Sequence, residues 1–247
     1  MIINHLKLYV KIEFILYNIY NIYNMNINDI CIIIQGSTNE NYLRQIKESY
    51  KKSKIQLIFS TWKGEEKKYN KNDLVIFNTM PKEKGIKNVM LQRLSTYNGL
   101  LKAESLGYKY AIKIRSDAYF TNIENFLKCN INLNKLNFIY FIDCIRSDDR
   151  TRQQYFYDFC QISTITNLLK MWTFNYEKCN YSEELTTKNI LKTFKKNDIA
   201  IIGDCLNKDN DIYWINRNIS LFDLGPKGNW CAKNENKPSF YLTHLPI

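Results

Sequence analysis

Four short apolar runs, each closing on polar residues, constrain this chain more than any other feature. Residues 29–34 (DICIII) end at Gln35 and Gly36, and residues 55–60 (IQLIFS) run into Thr61 and Trp62. Residues 73–78 (DLVIFN) close on Asn78, and residues 110–114 lead into Arg115, Ser116 and Asp117. Runs of this length, rich in Ile, Val and Phe and bounded by turn residues, read as buried strands. Between the first two, residues 41–51 carry Leu43, Ile46 and Tyr50 at helical spacing. Before the fourth, a helix is expected from Asn88, as its N-cap, to about Leu106, with Met90, Leu94, Tyr97 and Leu101 on its core face. Strand–helix alternation of this kind predicts an α/β class, with a mostly parallel, doubly wound, Rossmann-like sheet flanked by helices. Further along, residues 137–142, 199–202 and 213–222 read as strands, and residues 165–172 and 182–194 as helices.

In doubly wound sheets a ligand sits beyond the carboxyl ends of the strands, where the chain order reverses. The residues just past each run are therefore the candidates for binding: Gln35, Gly36, Thr61, Trp62, Arg115, Ser116 and Asp117. They supply amide, hydroxyl, aromatic, cationic and acidic groups along one edge. Lys113 and Arg115 interrupt an otherwise apolar strand, and a charge there is costly unless paired. Arg115 is thus expected to meet Asp117 or a ligand phosphate. On the helix before that strand, Arg93 is placed to reach a diphosphate, and the small Ser95 and Gly99 allow close approach to a neighbouring backbone or ligand.

Composition removes several chemistries. The 247 residues include two histidines, His5 and His244, so a His-centred triad or zinc hydrolase site is excluded and acid–base work falls to carboxylates. Seven cysteines, an odd number without a C-x-x-C pair, suggest a reducing compartment and inert thiols. The formal charge is +11, which suits phosphate-bearing substrates or an anionic membrane face. No dense Arg/Lys run or zinc-finger spacing accompanies it, so nucleic acid is not an expected partner.

The strings IIIQG, FSTWKGEE, QRLSTYNGLLKA and YKYAIKIRSDAYF, in that order between about residues 30 and 120, resemble the WavE-type lipopolysaccharide-synthesis proteins. That resemblance implies a GT-A-like glycosyltransferase: a nucleotide-sugar donor, a glycan or lipid-linked acceptor, and cytoplasmic glycan assembly at the inner membrane face. It implies an acidic motif after the fourth strand, with Asp117 as donor and metal ligand. The Asp-x-Asp motif common in GT-A enzymes is reduced here to Ser116-Asp117-Ala118-Tyr119, with one carboxylate. Mn²⁺ or Mg²⁺ is therefore a cofactor the motif permits without requiring. The resemblance also places acidic residues near Tyr157-Asp158-Phe159 and Ser182-Glu183-Glu184. An inverting transferase needs a carboxylate to take the acceptor's proton, for which Asp158 is the first candidate and Glu183 the second. For Glu183 the plain alternative is a first-turn acid favourable to the helix dipole.

Two other readings stay open. A non-catalytic transferase-fold scaffold would explain the single Asp, and a nucleotidyltransferase would use a similar sheet but normally has a richer glycine loop after the first strand. The opening residues 1–25 form an apolar segment read as a docking helix, as sequence preceding a true start at Met25, or as a membrane span. Residues 26–247 are expected to form the transferase domain.

Overall fold

The computed structural model describes residues 26–129, 131–139, 141–145, 152–156, 158–175, 182–202, 211–215 and 218–220. The apolar segment 1–25, the pair Asp148-Asp149, Tyr157 and both histidines lie outside them.

The run ICIIIQ forms β1 (Ile30–Gln35), buried at every position. β-branched residues suit a pleated strand, and burial on both faces is the signature of an interior parallel strand. Each Ile so buried contributes about 1.5–3 kcal/mol relative to exposure. Helix α1 (Glu40–Tyr50) follows, capped by the Asn39 side chain accepting from Tyr42 N, and buries Leu43, Ile46 and Tyr50 at the expected spacing. Then come β2 (Gln56–Trp62), β3 (Val75–Asn78), α2 (Val89–Ser105), β4 (Tyr110–Arg115), β5 (Ala118–Phe120) and α3 (Ile123–Leu127). The later part contains β6 (Leu136–Phe138), β7 (Phe141–Ile145), β8 (Arg152–Phe156), β9 (Cys160–Thr164), α4 (Ile165–Trp172), α5 (Ser182–Thr193), β10 (Ile199–Ile201), β11 (Ile212–Trp214) and β12 (Ile219–Ser220).

Among the described residues, seven strands make the central sheet in the order β10-β6-β9-β4-β1-β2-β3. β9 runs antiparallel to both β4 and β6, and the remaining neighbours are parallel. A three-stranded antiparallel sheet, β12-β11-β5, and the hairpin β7-β8 sit apart from it. Helices cover both faces. Leu43, Ile46 and Tyr50 pack with Ile32, Ile34, Ile112 and Ile114 on one side. Val89, Leu100, Ala103, Leu168, Met171 and Trp172 pack with Cys31, Ile33 and Ala111 on the other. Among the described residues, no helix is long and apolar enough to cross a membrane.

The α/β class and the mostly parallel sheet agree with the expectation, and several details do not. The expected strand 137–142 is two strands, β6 and β7, in different sheets. The antiparallel β9 differs from the expectation, because CQIST holds only two apolar residues and its local pattern does not stand out from a loop. On α2 the face turned to the core is Val89, Ser95, Thr96, Gly99, Leu100 and Ala103, and Leu101 is exposed. Small residues won that face because α2 lies so close to the sheet that a Cβ on Gly99 would come 2.6 Å from Ile33 Cγ2. Asn88 precedes α2 in the left-handed region, φ 64°, and its side chain makes no capping hydrogen bond.

Candidate functional site

β1 continues to β2 and β3 on one side, and the chain returns on the other side as β4. The order reverses between β1 and β4, and the carboxyl ends of these two strands open into a crevice of about 450 Å³. Gln35, Gly36, Trp62, Arg115, Ser116 and Asp117 line it, with the loop Ser37–Asn39, Lys68 and the start of α2 (Leu91, Gln92). Six of the strand-end candidates thus meet in one place.

Gly36 makes the turn possible. Its φ of 108° is a conformation other residues rarely adopt, and a Cβ there would stand 3.3 Å from Ser116 Oγ. The loop is fastened across the strands: Gly36 N donates to Ser60 O (3.0 Å), Ser116 N to Gln35 O (2.9 Å) and Ser116 Oγ to Ser37 O (2.6 Å). Gly36 and Ser116 therefore shape the floor by holding backbone to backbone.

Arg115 ends β4, and its guanidinium grips Asp117 with two bonds, Nε to Oδ1 at 3.0 Å and Nη2 to Oδ2 at 2.7 Å. This two-point fork is the strong, oriented form of the ion pair, and it confirms the pairing expected for Arg115. The same guanidinium lies 5.4 Å from the Phe159 ring. Both oxygens of Asp117 are engaged, and no group of three or more His, Cys, Asp or Glu side chains converges among the described residues. That donor set does not fit a divalent cation held by the protein alone.

A second carboxylate escaped sequence reading. Glu65 accepts from Ser37 Oγ and Thr61 Oγ1 and pairs with Lys68 Nζ at 2.8 Å. Lys68 also donates to Thr38 O at 2.8 Å, closing a clamp over the loop after β1. Burial alone would raise the Glu65 pKa. The bonds from Lys68, Ser37 and Thr61 outweigh it and hold the carboxyl below its ordinary value. The only local hint was spacing, with Glu65 four residues after Thr61 and three before Lys68.

Beneath the crevice runs a buried polar chain joining three strands to α2. Asn98 Nδ2 donates to Asn78 Oδ1 (2.7 Å), Asn78 Nδ2 to Ser60 Oγ (3.0 Å) and Ser60 Oγ to the Ser95 carbonyl (2.6 Å). Gln35 Nε2 donates to Ser95 Oγ at 3.0 Å. Asn78, read from sequence as a strand end, is a structural hub in this network.

The other candidates are placed differently. Thr61 is fully buried, and its hydroxyl is spent on Glu65, so it supports the clamp and does not line the crevice. Trp62 lines the crevice yet is only 6% exposed, so most of its ring is packed. Arg93 points to the other side of α2, 5.8 Å from the Phe174 ring, because helix rotation at that position carries it away from Leu91 and Gln92. Glu183 sits in the first turn of α5, outside the crevice lining, where a carboxylate complements the helix dipole.

Asp158 precedes β9 and lies at the same sheet edge, since Arg115 N donates to the neighbouring Phe159 O at 3.3 Å. It is 2% exposed and does not line the crevice. Neither carboxylate oxygen has a hydrogen-bond partner among the described residues. Its backbone carbonyl accepts from Lys113 Nζ, and Lys113 is wholly buried with its ammonium 5.1 Å from the Trp172 ring. Burial pushes the Lys113 pKa down to about 8, against the opposing pull of Asp158.

No family model matches the sequence, and no curated protein matches it. Among solved structures, the chain is similar to HddC from Yersinia pseudotuberculosis, with 11% identity, a TM-score of 0.41, and coverage of 75% of this chain and 93% of that one. A likeness of that size assigns neither a family nor an activity.

Proposed function

We propose that this chain is a glycosyltransferase of the GT-A-like, WavE-type kind, moving a sugar from a nucleotide-sugar donor to a growing surface glycan such as lipopolysaccharide, lipooligosaccharide or capsule. One observation carries the reading: the ends of β1 and β4 bring Gln35, Arg115 and Asp117 into a single crevice at the point where the sheet order reverses. Its volume suits a nucleotide-sized ligand. The net charge of +11 supports an anionic donor and contact with the inner membrane face.

In this reading Arg115 faces the donor diphosphate and stabilises the charge that develops as the sugar–phosphate bond breaks. Asp117 keeps the guanidinium flat and aimed, so the cation costs no reorganisation when the reaction occurs. The nucleoside diphosphate leaves with the bonding pair, the acceptor oxygen bonds to the sugar, and the acceptor's proton passes to a carboxylate. Asp158, buried at the same sheet edge just outside the crevice lining and with both oxygens lacking a hydrogen-bond partner among the described residues, is our candidate for that base, which the acceptor's arrival would have to uncover. Because Arg115 occupies Asp117, the reading places neutralisation on Arg115 and Lys68, and a Mn²⁺ or Mg²⁺ ion would have to compete for Asp117.

Calorimetric titration with a panel of nucleotide sugars, with and without Mn²⁺, tests the proposal, together with nucleoside diphosphate release in the presence of acceptor glycan. Binding and release without Mn²⁺ are expected. Binding of no nucleotide would leave a scaffold, and binding of nucleoside triphosphates alone would point to nucleotidyl transfer.

A further inference from the structure

The buried chain under the crevice has a direction, and that direction decides what its last member offers a ligand. Ser95 Oγ lies 2.7 Å from the Leu91 carbonyl. Two oxygens this close need a proton between them, and a carbonyl has none to give, so the Ser95 hydroxyl donates to Leu91. Its lone pairs are then what Gln35 meets. Ser95 therefore fixes the Gln35 carboxamide with its NH₂ inward, at 3.0 Å, and its oxygen away from Ser95. Gln35 is 6% exposed and lines the crevice, and its Oε1 is buried without a partner among the described residues. Gln92, on the facing turn of α2, likewise has a buried Oε1 without a partner there. A buried amide oxygen left unpaired is costly, so a ligand that supplies a donor there is favoured.

We propose that Gln35 Oε1, held in this orientation by Ser95, reads a ring N–H on the nucleobase of the donor, selecting uracil, thymine or guanine over cytosine or adenine. The inference rests on the nucleotide-sugar reading and narrows it. The first three bases carry a proton on the central ring nitrogen of their pairing edge, whereas cytosine and adenine carry a lone pair there, which would face the Gln35 oxygen acceptor to acceptor. Ser95 acts as a positioning residue, since it accepts from Gln35 Nε2 and so fixes which end of the amide is left without a protein partner among the described residues.

Binding of UDP, GDP, CDP and ADP to the full chain, measured by calorimetry, tests this. UDP or GDP is expected to bind at least about tenfold more tightly than CDP and ADP. The ring-N-methylated analogue of the better ligand should lose about the same factor. Gln35→Met should abolish the preference. Ser95→Ala should narrow the ratio between bases, because the amide is then free to turn its NH₂ outward, an effect that a purely structural role for Ser95 would not produce. A preference for CDP or ADP, or a methylated analogue that binds as tightly as its parent, would overturn the assignment while leaving the transferase reading intact. Failure of all four diphosphates to bind would remove both.

Discussion

Strand β4 carries two cations on one face, two residues apart, and their surroundings differ. Arg115, at the strand end, opens onto the crevice and holds Asp117 in a two-point fork whose side chains are 29% and 10% exposed. Lys113 is fully enclosed among Trp172 and its neighbours, with a backbone carbonyl for its hydrogen bond and the Asp158 carboxylate nearby. A pair beside solvent keeps both charges at little cost and stays available to a ligand. A charge sealed in the core is opposed by desolvation, so it loses proton affinity and matters chiefly to stability. Substituting Arg115 should therefore move activity, and substituting Lys113 itself should move folding.

The largest effect is expected from Arg115→Met. Turnover should fall by about 10²–10³, as for loss of one preorganised charge-stabilising group, with little change in the unfolding midpoint. A variant that unfolds, or one that turns over normally, would erase the distinction between the two cations.

Next comes Lys113→Met, expected to cost about 3 kcal/mol in denaturant unfolding because Asp158 is left as a buried charge without its counter-ion. Adding Asp158→Asn should recover part of that loss, and a double-mutant cycle with zero coupling would show that the two residues do not interact.

The pH dependence sharpens the same point. The Lys113 pKa is about 8 in the fold and 10.5 ordinarily. Between those values the unfolded chain binds the extra proton, so this group's contribution to stability rises with pH through the window and is level below and above it. Wild type measured against Lys113→Met should show that rise, and parallel stability curves would contradict the burial of the ammonium.

Smallest in stability is Asp117→Asn, expected to change unfolding free energy by less than about 1 kcal/mol, as for a partly exposed pair. Donor affinity or turnover should suffer far more, because Arg115 loses the carboxylate that orients it. A variant with unchanged turnover would take Asp117 out of the mechanism.

Local pattern carried much of this. The run ICIIIQ is a strand because consecutive β-branched residues fill both faces of an interior strand, YAIKIR is one because its apolar residues flank Lys113 in a short run, and Leu43, Ile46 and Tyr50 mark a helix by period alone. The strand-end rule then led to Gln35, Gly36, Arg115, Ser116 and Asp117 together. It failed for Thr61, whose hydroxyl goes to the neighbouring Glu65, and the separate helix reading of Arg93 failed because α2 is rotated against the sheet. It missed Glu65, which acts through Ser37 in a different loop.

From its own order of residues the chain settled the first four strands, the helices after the first and before the fourth, and that polar groups follow the strands, since these depend on periodicities within a few residues. Only the tertiary structure decided that β9 enters antiparallel between β4 and β6, that Lys113 is sealed while Arg115 is open, and that Ser95 turns the Gln35 oxygen away from itself. Those outcomes depend on contacts between residues far apart in the chain, such as Lys113 with Asp158, 45 apart, and Gln35 with Ser95, 60 apart. Burial and hydrogen-bond direction are properties of a surrounding shell, and no local window of the sequence contains that shell.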